Sequence, residues 1–222
     1  MRMRLKKHLE ERIDDCGNML VAREGSLFYT LTDEQKTQKL PLQEIFGNNN
    51  PLYVELGCGK GAFAIKSAKL HPDRNYIAME RLSNVIVVGC EDAHRENITN
   101  LRFINGHAEN LRYWLDDKSV TEIILNFSCP FPKKTYANRR MTSEKYLEVY
   151  KHLLTDDGII RQKTDDLAFF EWSMESYKAH GYEVFDVTYD LPLGGDNVTT
   201  EYEEKFRSLG KKIYACKARP IK

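Results

Sequence analysis

From Pro51 onward, short runs of β-branched and aromatic residues alternate with segments whose apolar positions recur every three or four residues. The extended runs are LYVEL (52–56), NYIAM (75–79), LRFIN (101–105), TEIILN (121–126), GIIRQK (158–163), YEVFDVTYD (182–190) and KIYACKA (212–218). Helical stretches over 62–70, 84–96, 109–115, 143–154 and 167–180 lie between most of them. Strands alternating with helices predict a mostly parallel sheet covered on both faces. The alternation breaks near the end, where 182–190 and 212–218 are separated by a loop rather than a full crossover helix. A hairpin-like pair there introduces one antiparallel strand near the C-terminus. The expected fold is α/β, Rossmann-like and doubly wound.

Residues 1–50 read differently. They are polar and lack sustained periodicity, with partial helix expected over 32–45 and a turn at Gly-Asn-Asn-Asn-Pro (47–51). The expected organisation is an N-terminal arm over 1–50 and one α/β domain over 51–222.

Composition narrows the class of protein. No apolar run approaches the roughly 20 residues that span a bilayer, and the basic start MRMRLKKHLEER has no apolar stretch behind it. The five cysteines are scattered without a CxxC pair, which argues for a reducing compartment and against a disulfide framework. The cytoplasm is the expected location. The six histidines form no pair at ligand spacing, so no metal site is expected. Lys plus Arg equals Asp plus Glu at 33 each. A nucleic-acid partner would therefore have to be met by local patches, of which residues 2–12 and Lys133-Lys134 with Arg139-Arg140 are candidates.

The first strand runs into Glu55-Leu-Gly-Cys-Gly-Lys-Gly61 and then a helix. Glycines at such a turn let backbone approach a ligand at the carboxyl end of a strand. No Lys-Ser/Thr follows, so a phosphate-cradling loop is not supported. A second acid, Glu80, ends the next strand, where a carboxylate can accept from both hydroxyls of a ribose. After the apolar strand 121–126 comes Asn126-Phe-Ser-Cys-Pro-Phe-Pro-Lys133, whose prolines cannot continue a sheet. This is a stiff loop with two aromatic faces, Phe127 and Phe131, and lysines suited to phosphate. Asp165-Asp166 reads on spacing as a helix N-cap and first-turn acid. Tyr202 and Phe206, four apart, read as a packed helix face.

ELGCGKG, Glu80, NFSCPFPKK, KTDD and NVTTEYEEKF occur in the order seen in the tRNA (guanine-N7-)-methyltransferases, which the chain resembles over about residues 45–218. The resemblance implies the class I methyltransferase fold and S-adenosylmethionine as cofactor. It also implies tRNA as partner, and methyl transfer to N7 of a guanine in the tRNA variable loop by a monomer or homodimer. It implies cofactor contacts from Glu55, Gly57, Gly59, Glu80, His107, Ala108, Asn126 and Cys129, with Cys129 at the catalytic position. Target contacts would come from Lys133, Asp165, Thr200, Glu201, Tyr202 and Glu203, and RNA-backbone contacts from Arg139 and Arg140.

Three segments depart from the family pattern. Cys129-Pro130-Phe131 stands where Asp-Pro-Trp is usual, and His107 where an Asp usually holds the adenine amino group. Tyr136-Ala137-Asn138-Arg139-Arg140 replaces a His-x-x-Arg-Arg-like stretch. Guanine N7 carries an in-plane lone pair and needs no deprotonation, so losing the carboxylate at position 129 predicts weakened rather than absent activity. Two alternatives follow from the same changes: a tRNA-binding paralogue with weak or no activity, and a cytosine-C5 methyltransferase using Cys129 as nucleophile.

Overall fold

The computed structural model describes residues 6–24, 39–195 and 197–222. The basic residues at positions 2 and 4 and the helix expected over 32–38 lie outside the described residues. The elements, in chain order, begin with α1 (Leu9–Asp14), β1 (Leu20–Arg23), α2 (Leu42–Phe46), β2 (Leu52–Leu56), α3 (Ala62–Leu70), β3 (Asn75–Glu80), α4 (Ser83–Arg95) and β4 (Leu101–Asn105). They continue with α5 (Leu111–Trp114), β5 (Val120–Asn126), α6 (Glu144–Leu153), β6 (Leu154–Thr164), α7 (Leu167–Ala179), β7 (Tyr182–Thr188), α8 (Glu201–Ser208) and β8 (Tyr214–Pro220).

Eight strands form one sheet in the order β1-β4-β3-β2-β5-β6-β8-β7. Strands β1 to β6 pair in parallel, while β8 runs antiparallel to both β6 and β7. The expected antiparallel strand is therefore present. The central strands read as near-continuous apolar runs because both sheet faces are covered. Leu52, Val54, Leu56, Ile77, Met79, Ile123 and Leu125 pack with α5, α6 and α7 on one face. Tyr76, Ala78, Leu101 and Phe103 pack with α1, α3 and α4 on the other.

One strand escaped the sequence reading, and one helix turns a different face inward from the one its spacing indicates. Strand β1 has only four residues, all half-buried, so it shows no alternation; it pairs with β4 at the sheet edge. Between β7 and β8 the expected loop contains helix α8, which the Tyr202–Phe206 spacing indicates, but its buried residue is Glu203 while Tyr202 is exposed. Strand β6 also starts earlier than expected, at Leu154.

The chain leaves the sheet centre toward β3 and β4, then returns to add β5 and β6 on the other side of β2. The order reverses between β2 and β5. In open α/β sheets the crevice outside the carboxyl ends at this switch point is where ligands bind.

Candidate active site at the carboxyl ends of the parallel strands

At the end of β2 the glycine turn folds back over β3. The amides of Gly57 and Cys58 both donate to the Met79 carbonyl, at 2.8 and 3.0 Å. Gly59 and Gly61 adopt φ of 59° and 74°, in the left-handed region that side chains disfavour. At Gly61 a Cβ would sit 2.8 Å from the Phe103 ring, so α3 can start this close to β4 only from a glycine. At Gly59 the space a Cβ would take is open.

Glu55 and Asn126 face each other across the switch point. Asn126 Nδ2 donates to Glu55 Oε1 at 2.9 Å, and both residues are buried. Glu55 Oε2, Asn126 Oδ1 and Ser128 Oγ are buried without hydrogen-bond partners. Buried polar atoms without a protein partner call for an explanation, such as an ordered water or a ligand; others in this protein, such as the hydroxyls of Tyr150 and Tyr177, lie in the core. Burial pushes the Glu55 carboxyl up to about 7, with the Asn126 hydrogen bond and Lys163 opposing and Glu80 reinforcing. Glu80 is half-buried at the end of β3, and its Oε1 accepts from the Leu82 amide at 3.0 Å.

At the end of β4 the structure adds a residue outside every motif. Glu24, just after β1, is 4% exposed. Its Oε1 accepts from the His107 amide and from Asn110 Nδ2, each at 2.7 Å, and its Oε2 lies 2.7 Å from His107 Nδ1. Ala108 is buried at the start of the short 3₁₀ turn Ala108–Asn110 that follows.

The loop after β5 is stiff for reasons beyond its prolines. Phe127 and Phe131 both hold positive φ, 50° and 41°, a strained arrangement that surrounding contacts must enforce. The Phe127 amide donates to the Lys163 carbonyl at 2.8 Å. Arg140 donates to the carbonyls of Pro130 and Phe131, at 2.8 and 3.1 Å, with its guanidinium 4.3 Å from the Trp172 ring centroid. Cys129 is an exposed free thiol at the loop's turn. Lys133 is exposed just before the 3₁₀ segment Lys134–Arg139.

The last wall is α8. Lys163 and Glu203 form a buried ion pair of 2.8 Å, with side chains 4% and 0% exposed. Lys163 Nζ also donates to Asn197 Oδ1 and the Val198 carbonyl, and Arg207 donates to Glu203 Oε1. Burial pushes the Glu203 carboxyl up, but hydrogen bonds from Lys163, Arg207 and Asn197 outweigh it and the net shift is downward. The Tyr202 ring, 58% exposed, stacks near Phe127 and Phe206, with centroids 6.4 and 6.1 Å away.

The residues expected from sequence thus converge on one edge of the sheet, but three of them turn inward. Arg140 is buried as a staple of the loop, not displayed to RNA. Thr200 caps α8, its Oγ1 accepting from the Glu203 amide at 2.9 Å, and Glu203 is consumed by Lys163 and Arg207. Polar side chains placed under a helix end or a loop must find internal partners, which draws them away from solvent. Asp165 pairs with Lys211, while Asp166 caps α7 through Phe169. Lys133, Arg139, Glu201, Tyr202 and Cys129 remain on the surface.

The inward turn of Arg140 separates two neighbours in a testable way. Arg139 is exposed over the Tyr136 ring. Arg139→Ala is expected to leave thermal stability within about 0.5 kcal/mol of the parent, as for an exposed surface substitution. Arg140→Ala is expected instead to lower thermal stability by about 2 kcal/mol for the lost charged hydrogen bonds. Melting curves of both variants check this, and equal melting temperatures would refute the division.

Comparison with solved structures places this fold among the methyltransferases. The 16S rRNA methyltransferase KamB superposes with a TM-score of 0.62 at 15% identity, covering 90% of this chain and 99% of that one. Residues 49–216 match the family described as "Putative methyltransferase". A tRNA (guanine-N(7)-)-methyltransferase of Geobacillus kaustophilus is 41% identical over 192 residues, 86% of this chain and 88% of the relative. One of Clostridioides difficile is 36% identical over 221 residues, 99% of each. The chain belongs to the tRNA (guanine-N(7)-)-methyltransferase family.

Proposed function

We propose that this protein transfers a methyl group from S-adenosylmethionine to N7 of a guanine in the variable loop of tRNA. The observation that carries the reading is the trio of unpartnered buried atoms, Glu55 Oε2, Asn126 Oδ1 and Ser128 Oγ, at the switch point beside an open glycine turn. An acidic and carbonyl-oxygen donor set suits a cationic ligand, and S-adenosylmethionine, when bound, supplies an electrophilic methyl group on a positively charged sulfur. Glu55, Asn126 and the turn at Gly57 and Gly59 would hold it at the centre of the sheet. Glu80 would take the ribose hydroxyls, and His107 and Ala108 the base end.

The target guanine would enter over Cys129, between the loop after β5 and α8. Guanine N7 carries an in-plane lone pair, so attack on that methyl group would need no base, and the chain would not have to move a proton. What the chain contributes is alignment: Lys133 and Arg139 toward the RNA backbone, and Tyr202, Glu201 and Asp165 around the base. Thr200 and Glu203 act by fixing α8 in place. The five cysteines are free thiols, in keeping with the cytoplasm.

The test is incubation with unmodified tRNA and methyl-labelled S-adenosylmethionine, followed by identification of the labelled nucleoside. Label in 7-methylguanosine supports the proposal. Label in 5-methylcytidine would replace it with nucleophilic attack by Cys129, and bound but unlabelled tRNA would leave only a binder.

The exposed thiol also yields a gain-of-function expectation. Cys129→Asp restores a charged acceptor where positive charge develops on the base, so turnover should rise by about one to two decades, the worth of one charged hydrogen bond. Single-turnover rates at saturating tRNA would show it, and an unchanged rate would exclude a role for a carboxylate at this position.

A further inference from the structure

We infer that the face of β2, β5 and β6 beside α3 carries a binding site for a phosphate group, built on Arg74 and Ser67. None of Glu55, Glu80, Asn126 or Cys129 lines it, so it is independent of the cofactor reading above.

Central strands covered on both faces are apolar on both, yet β5 and β6 carry Glu122 and Arg161. The reason is a gap in the cover. Among the described residues, the apolar cluster packed with α1, α3 and α4 includes members of β3 and β4 but none of β5 or β6. Tyr76, Tyr53 and Glu122 are register partners across β3, β2 and β5, so their side chains share one face. Arg161, level with Ile124, continues that row onto β6. Together with α3 and the pair Asn197-Val198, these residues line a cleft of about 80 Å³. That is well above the ~10–15 Å³ that a single water requires, and it admits a small oxyanion.

The balance of donors and acceptors fixes the kind of ligand. The acceptors in the cleft are taken. Glu122 receives the Arg161 fork, with Nε 2.7 Å from Oε1 and Nη2 donating to Oε2 at 3.0 Å. Asn197 Oδ1 and the Val198 carbonyl accept from Lys163 Nζ, at 3.0 and 2.9 Å, and the charge of Lys163 is neutralised by Glu203. What is left over is donors. Ser67 Oγ, on a residue of α3 that is 2% exposed, has no hydrogen-bond partner. Arg74 lays its guanidinium over the Tyr53 ring, 4.9 Å from the centroid, and forms no ion pair with a described carboxylate. Its sequence neighbour Asp73 is exposed. Burial raises the Tyr53 and Tyr76 phenols, Tyr76 to about 12, so both keep their protons at neutral pH. A guanidinium is always charged, and its planar fork matches phosphate oxygens. Surplus donors around one uncompensated cation call for an anion with several acceptor oxygens, which a phosphate group supplies.

The experiment titrates inorganic phosphate into the full chain, read by calorimetry and by broadening of the phosphorus resonance. The wild type is expected to bind one phosphate with a Kd of about 1 mM, the yield of two to three charge-assisted hydrogen bonds. Arg74→Ala should weaken binding by about tenfold or more. Ser67→Ala should weaken it by about fivefold and, because it removes an unpaired buried hydroxyl, should melt no lower than the parent without phosphate. Unmodified tRNA added to the phosphate-loaded protein then assigns the source. Displacement marks the group as one of the RNA backbone, and retention as one carried by a small molecule. Absence of saturable binding, or binding of equal strength after Arg74→Ala, would overturn the inference.

Discussion

Glu55→Gln is expected to stabilise the ligand-free protein above about pH 8 while weakening its hold on S-adenosylmethionine. The sign follows from linkage. The folded-state carboxyl is raised from 4.5 to about 7. Its favourable contribution is therefore complete below the unfolded value and is lost as pH rises through about 7, where the buried group must ionise. The displacement corresponds to about 3 kcal/mol at alkaline pH. Gln removes that cost, keeps an acceptor for Asn126 Nδ2, and can donate to Asn126 Oδ1, which now lacks a partner.

The same change removes the negative charge that a sulfonium ligand needs. Binding to the wild type should weaken by about tenfold per pH unit below about 7, because the ligand must then displace a proton. The Gln variant should show a flat and weaker profile. Melting curves and calorimetry across pH would check both halves. A variant that melts lower than wild type at alkaline pH, or that binds equally well, would remove Glu55 from this role. If both halves hold, the site stores instability in exchange for affinity, as functional sites commonly do.

The sequence reached the features that are local. The glycine turn, the acids at the ends of β2 and β3, and the Pro-bearing loop each announce themselves within a few residues, because each is a strand end that must turn. Central strands were legible for the same reason, since burial on both faces leaves long apolar runs such as IIL (123–125). What stayed hidden depends on contacts distant in sequence. Glu24 matters because β1 lies beside β4, yet four half-buried residues leave no period to read. Arg139 and Arg140 are adjacent and chemically identical, but only the structure shows that the second faces Trp172 and two loop carbonyls. Position 203 illustrates the limit most clearly: the resemblance implies that this glutamate meets the target, and the structure buries it fully against Lys163 and Arg207.

That burial leads to the largest stability effect expected here. Lys163 links two walls of the site: its carbonyl accepts from the Phe127 amide, and its side chain holds Glu203 of α8. Glu203→Ala leaves an ammonium buried with only Asn197 and the Val198 carbonyl, and breaking such a pair costs about 3–5 kcal/mol. For a domain of this size the melting temperature should fall by about 10 °C. Lys163→Ala should cost as much, and the double change Lys163→Met with Glu203→Leu should recover much of the loss, because well-packed apolar residues often replace a buried pair without penalty. Methylation should not return with stability in the double variant. Asn197 and Arg207 lose their shared carboxylate, and with it the anchor that aims Tyr202 at Phe127. Melting temperatures and single-turnover methylation on the three variants separate the two contributions. A double variant that regained both stability and turnover would show that the ion pair serves packing alone.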